Sequence, residues 1–235
     1  ESIDFSELSE YGADANIVSA KLLKGSGLSQ LVIVKGSELH VYGYCAAKKK
    51  FEQILNGELS FKTGQHKLAA LDIDGDGTDE LFITGKESKG YFIKLSNFIQ
   101  PCATGIQKQN IQPIFEINLP GSESDTIPGN YTSIAIDRNN DLNFELIVTN
   151  SVNNNSMVYF LKGNVLQQEA LKADFTESNP QIEYLMWQGA KSTSNGKLYC
   201  LEILNGVRSL HVYSWDQQTQ SFINSDDVDF LPIEL

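Results

Sequence analysis

Residues 72–80 read DIDGDGTDE, with carboxylates at Asp72, Asp74, Asp76 and Glu80, the first, third, fifth and ninth places of the segment. A tight loop turns alternate side chains to one side, so three carboxylates converge on one centre. Calcium takes about six to eight oxygens at flexible angles, and carboxylates with a backbone carbonyl supply them. Thr78, the seventh residue, is placed to offer that carbonyl. Gly75 and Gly77 give the backbone access to positive φ. Without a cation, carboxylates a few Å apart repel one another and raise each other's pKa. The competing reading is an ordinary polar turn.

The loop runs directly into a strand, LFIT from Leu81. An EF-hand also opens with alternating acids, but its bidentate glutamate belongs at the twelfth place, here Ile83, and helices must flank it. Strands flank this loop, so the EF-hand reading fails.

The strand belongs to a repeat. LVIV from Leu31, LFIT from Leu81, LIVT from Leu146 and LYCL from Leu198 superimpose as strand cores. Each is followed by a turn and an aromatic-rich strand: LHVYGY from Leu39, YFIKL from Tyr91, MVYFL from Met157 and LHVYSW from Leu210. Another strand precedes each core, and a fourth segment comes after each hairpin: FEQIL, PIFEINL, VLQQEAL and QSFIN. VLQQEALKA also admits a short helix, but it stands where the other units have a strand. Period-2 alternation runs throughout, and four strands recur in the same order four times. The expected fold is an all-β propeller of four-stranded antiparallel blades. It forms one domain over residues 1–235, with about four blades near 16–60, 66–120, 131–173 and 181–228. Four blades make either a small closed ring or part of a larger propeller. Residues 97–112, NFIQPCATGIQKQNIQ, read as an irregular insertion in the second unit.

The acidic loop has relatives at the same place in the repeat. In the third unit, DRNNDLNFE puts Asp137, Asn139, Asp141, Asn143 and Glu145 at places 1, 3, 5, 7 and 9. Leu142 replaces the second glycine there, which makes the turn harder to close. The first unit has LKGSGLSQ and the fourth QGAKSTSNGK, neither with an acid.

The pattern D-x-D-G-D-G-x-x-E-hydrophobic between the first two strands of a unit resembles the FG-GAP or VCBS repeats of integrin-α-like β-propellers. That resemblance implies Ca2+ in each loop that keeps its acids. Carried over by residue, the ligands are Asp72, Asp74, Asp76, the Thr78 carbonyl and Glu80. A second set is Asp137, Asn139, Asp141, the Asn143 carbonyl and Glu145. It also implies a secreted or cell-surface adhesion module that binds another protein, such as other propeller segments or subunits. Family propellers usually have about seven blades, against four here.

Composition limits the alternatives. A net charge of -12 argues against nucleic acid or an anionic membrane surface as partner. No apolar run approaches the roughly 20 residues that cross a bilayer. Cys45, Cys102 and Cys200 leave room for one disulfide of unassigned pairing; Cys45 and Cys200 sit in strand-like segments and read as buried thiols. Asn130 and Asn154 begin glycosylation triplets. His40 and His211 occupy equivalent places in Leu-His-Val-Tyr and read as repeat positions, and His66 has no nucleophile motif beside it. No catalytic or phosphate-binding fingerprint is present, so no enzyme activity is expected. A carbohydrate-binding propeller, with Trp187 or Trp215 as sugar platforms, is the main alternative. A propeller domain of a lyase or hydrolase is a further one.

Overall fold

The computed structural model describes residues 11, 15–24, 27–61, 63–85, 88–96, 98–121, 131–151, 155–173, 181–189, 196–204 and 206–225. The protein is all-β. The first sheet begins with β1 (Asn16–Ala20), β2 (Gln30–Lys35), β3 (Glu38–Cys45) and β4 (Lys50–Leu59), each antiparallel to the next. The second contains β5 (Thr63–Leu71), β6 (Glu80–Gly85), β7 (Lys89–Ile93) and, after an intervening β8 (Gln107–Ile111), β9 (Phe115–Asn118). The third is β10 (Tyr131–Ile136), β11 (Glu145–Asn150), β12 (Asn155–Lys162) and β13 (Val165–Ala170). The fourth is β14 (Gln181–Gln188), β15 (Lys197–Leu204), β16 (Val207–Asp216) and β17 (Ser221–Asn224). VLQQEA is thus a strand: paired along its whole length with β12, it gains ladder hydrogen bonds that an isolated short helix would not. Among the described residues, no helix is long and apolar enough to cross a membrane.

Two compact units share the chain, Glu1–Asp72 with Asp76–Asn118, and Ile73–Gly75 with Leu119–Leu235. In the first, β1 and β5 are neighbours. Val32, Val34, Leu39, Val41, Leu81, Ile83 and Ile93 from its two sheets form one core with Ile111 from β8. In the second, β10 neighbours β14, and Ile136, Ile147 and Val158 pack with Leu198, Cys200, Tyr213, Trp215 and Phe222. The second strand is buried on both faces in the first three sheets, as Leu81, Phe82 and Ile83 show with no exposed surface, whereas β15 alternates buried Leu198, Cys200 and Glu202 with half-buried Tyr199, Leu201 and Ile203. Strands buried on both faces read as continuous apolar runs, which is why LVIV, LFIT and LIVT are so alike. β1 alternates instead, with Ile17 and Ser19 in solvent and Ala20 buried, while β13 is exposed along most of its length, at Val165, Gln167, Gln168 and Ala170.

The segment read as an irregular insertion is more ordered than expected. Its β8 leaves the second sheet and adds to the first, parallel to β4, from Leu55↔Gln107 to Leu59↔Ile111. Cys102 is disulfide-bonded to Cys45 at the end of β3, which corrects the reading of Cys45 as a thiol; Cys200 is the buried free cysteine. Two glycines make room for the crossing. A Cβ at position 43 would lie 2.5 Å from Pro101 Cγ, and one at position 57 would lie 2.1 Å from Ile111 Cδ1. Neither approach is legible in a local pattern, because both depend on residues over 50 places away.

His40 and His211 are equivalent in the ladder as well as in the sequence. His40 pairs with Ile33 and His211 with Cys200, each the third residue of its core strand. His40 Nδ1 lies 2.8 Å from Gln53 Nε2, and His211 Nε2 lies 2.9 Å from Ser209 Oγ. Lys48, which opens the short basic run Lys48-Lys49-Lys50, pairs with Glu52 across a turn at 2.8 Å. Asn130 and Asn154, and the side chain of His66, lie outside the described residues.

This packing has two measurable consequences. Chain entropy assigns the Cys45–Cys102 crosslink, spanning 57 residues, about 4 kcal/mol at most. Replacing both cysteines with Ala should therefore cost about 2–4 kcal/mol in a urea titration. Dithiothreitol should reproduce that loss in the parent and add nothing in the variant. In the second unit, Glu202 is buried and accepts a 2.7 Å hydrogen bond from Tyr213 Oη. Burial holds its pKa above the ordinary carboxylate value, against the opposing effect of that hydrogen bond. A raised folded pKa means that ionisation costs stability as pH rises from the unfolded to the folded pKa. Glu202→Gln, which keeps an acceptor for Tyr213, should gain in melting temperature relative to the parent between pH 5 and pH 8. An offset that does not change with pH would mean the carboxylate carries no such penalty.

Candidate metal centre

In every sheet a loop joins the first strand to the second, and the ladder fixes where it closes. The last residue of the first strand pairs with the residue that opens the second: Ala20↔Gln30, Leu71↔Glu80, Ile136↔Glu145 and Gln188↔Lys197. In the first three sheets that residue begins a strand buried on both faces, so its side chain is carried inward; Lys197 opens the alternating β15 and stays half-buried. Gln30 is 2% exposed, Glu80 0% and Glu145 6%. A buried polar group must find partners, and each of these three loops answers differently.

In the loop of residues 72–80, ligand oxygens of Asp72, Asp74 and Glu80 lie within 4.8 Å of one another. Asp72 Oδ2 accepts the Gly77 N–H at 2.8 Å, while its Oδ1 is buried and accepts no hydrogen bond. Gly75 and Gly77 take φ of 72° and 88°, as expected for the turn. Asp76 accepts from Thr78 N–H at 2.9 Å and Thr78 Oγ1–H at 2.6 Å. It is not in the close cluster. The Thr78 hydroxyl first, then Lys94, hold the Asp76 carboxyl down at about 2. Lys94 Nζ is 3.0 Å from Asp76 Oδ2 and 2.8 Å from Glu80 Oε1. Register explains its place: Leu81 pairs with Ile93, so the next step sets Lys94 opposite Glu80.

Asp79 has a separate task. Its Oδ2 accepts the Lys21 N–H at 2.6 Å, and its own N–H donates to the Lys21 carbonyl at 2.8 Å, clasping the first sheet to the second. Burial raises its pKa despite the Lys21 hydrogen bond.

The loop of residues 137–145 has the same skeleton with different side chains. Asp137 Oδ2 accepts the Leu142 N–H at 3.2 Å, and Asp141 Oδ1 accepts the Asn143 N–H at 2.8 Å. Asn139 donates to Asp141 at 2.9 Å. Glu145 Oε1 meets Arg138 Nε at 3.0 Å, and its Oε2 accepts the Arg138 backbone N–H at 3.3 Å. Burial nonetheless raises the Glu145 pKa, outweighing Arg138. Arg138 also pairs with Glu169 and lies over the rings of Trp215, at 4.9 Å, and Phe160, at 5.6 Å. In the first sheet the Gln30 amide oxygen accepts from Leu22 and Leu23 N–H at 2.8 and 3.1 Å, and its Nε2 donates to the Leu28 carbonyl at 2.7 Å.

The structure therefore groups Asp72, Asp74 and Glu80 and sets Asp76 and Thr78 beside them. Glu145 is drawn to Arg138 instead. All donors in the first group are carboxylate oxygens, the chemistry of a hard cation, and the orphaned Asp72 Oδ1 is the atom such an ion would satisfy. A further group, Cys45, Glu52 and Cys102, has its two sulfurs bonded to each other and offers no thiolate. Sequence reading missed Lys94, Arg138 and Asp79. Only Arg138 left a signal, a cation inside an acidic loop.

No protein-family model matches the chain, and no curated protein matches it.

Leu142 takes φ 66° where Gly77 has 88°, with 72% of its surface exposed. The loop closes, but a left-handed non-glycine residue costs about 1–2 kcal/mol, offset by the entropy glycine gains on unfolding. Leu142→Gly should thus raise stability by roughly 0.5–1 kcal/mol. An unchanged or lower urea midpoint would show that the turn is unstrained.

Proposed function

We propose that this chain is a noncatalytic β-propeller, or part of a larger one, that is stabilised by Ca2+ at residues 72–80 and binds another protein as an extracellular adhesion or assembly module. The observation that carries the cation is the convergence of Asp72, Asp74 and Glu80 oxygens within 4.8 Å around a buried, unbonded Asp72 Oδ1. Asp76 and the Thr78 carbonyl complete the proposed shell. Residues 137–145, with Arg138 on Glu145, are the weaker of the two candidate sites.

Supporting the propeller is the recurrence of one strand order in four sheets, with first strands adjacent within each unit. The resemblance to FG-GAP and VCBS repeats adds the extracellular and adhesive parts of the reading. A disulfide between Cys45 and Cys102 suits an oxidising compartment, where such bonds persist. Of the two tryptophans a sugar could use, Trp215 is 4% exposed and packed on Phe222, so it offers no platform, while Trp187 is half-buried against the same ring.

A thermal melt tests the cation. Millimolar Ca2+ over a site with a dissociation constant near 0.1 mM contributes roughly 1.4 kcal/mol, or about 3–6 °C for a chain of this size. The rise should appear with Ca2+, not with EGTA and excess Mg2+, and should vanish in Asp72→Asn and in Asp74→Asn. Identical melts under both conditions would leave the loop an acidic turn and withdraw calcium from the reading.

A further inference from the structure

We propose that Lys94 is a tethered cation that competes with the metal for residues 72–80. The buried Glu80 carboxylate then always has a positive partner, the ammonium when the metal is scarce and the ion when it is abundant. This rests on the reading of the loop as a cation site.

Glu80 has no exposed surface, and an isolated buried carboxylate is too costly to leave unneutralised. Lys94 Nζ answers it at 2.8 Å and reaches Asp76 Oδ2 at 3.0 Å, so it holds two of the proposed ligands at once. The lysine arrives from the end of β7, across the ladder from Glu80, not from the loop itself. About a third of its side chain is exposed, 32%, and its flexible four-carbon stem can turn to water without opening the core. A divalent ion needing the same oxygens must displace it, and the ammonium must find the carboxylates taken.

The loop of residues 137–145 shows the alternative. The cross-strand place that Lys94 holds in the second sheet is Phe160 in the third, because Leu146 pairs with Tyr159. There the cation comes from Arg138, held by Glu145, Glu169 and two aromatic rings. Arg138 is fixed by four partners and 13% exposed, a permanent replacement; Lys94 is the exchangeable version.

The test is calorimetric titration of CaCl2 into the whole chain, beside melts in EGTA and in Ca2+. Lys94→Met should bind Ca2+ at least tenfold more tightly than the parent. It should also melt lower in EGTA and gain more from Ca2+. Lys94→Arg should stay near the parent affinity, and Lys89→Met, which removes a charge from the same strand where it pairs with Glu116, should change it less than about twofold. Equal or weaker binding by Lys94→Met, with calcium bound by the parent, would overturn the competition and leave the metal site standing. No binding by either protein would remove the site and this proposal together. Should Lys94→Met fail to fold without calcium, Lys94→Gln purified in Ca2+ and then titrated supplies the same comparison.

Discussion

A buried polar side chain at the start of the second strand is the constraint around which the loops of the first three sheets are organised. There the second strand packs on both faces, so whatever opens it is taken out of water with it. At Gln30 the neutral amide meets backbone groups of its own loop, accepting from two N–H groups and donating to the Leu28 carbonyl. At Glu80 and Glu145 a full negative charge is buried, and hydrogen bonds alone do not offset the lost solvation. Each therefore has a cation within 3.0 Å, delivered from a different part of the sheet. The loops differ in sequence because they are different solutions to one electrostatic problem.

The second constraint is the strap formed by residues 98–111. An outer strand leaves one side of its backbone unpaired, an open template for association. In the first sheet β8 covers that side of β4, and the disulfide holds the crossing segment against the end of β3. Pro101 and Ile111 sit where Gly43 and Gly57 have no side chains, so the sheet carries a shaped seat for the strap. In the second unit the corresponding device is slighter, a parallel bridge from Ala173 to Phe222 with the Phe222 N–H on the Lys172 carbonyl.

Legibility in the sequence divides along the range of the interactions. Three strand cores were legible because burial on both faces leaves an unbroken apolar run, and the fourth because LYCL stands at the same place in the repeat. The equivalence of His40 and His211 was legible because ladder position repeats with sequence. Asp72, Asp74 and Glu80 were legible as a group because a short loop brings its own side chains together. The partners that decide its charge were not. Lys94 is fourteen places from Glu80 and is placed by register; Asp79 acts on Lys21; Cys102 acts on Cys45. The polar composition of 97–112 suggested an irregular segment, since β8 reads QKQNI and owes its extension to β4 rather than to its own propensity.

The two acidic loops also separate what shapes such a turn from what an ion would add. In both, the first aspartate accepts the N–H of the sixth residue and the fifth aspartate accepts that of the seventh. In both, the fourth and sixth residues have positive φ, although one pair is glycine and the other Asn140 and Leu142. One backbone path is thus held by side-chain acceptors in a loop whose ninth-place glutamate is committed to Arg138. The carboxylates at the first and fifth places are capping groups before they are ligands, which is why a loop can lose its glycine and divert its glutamate yet keep its form. A metal at residues 72–80 would act on a turn already folded, changing its charge and its stability rather than its path.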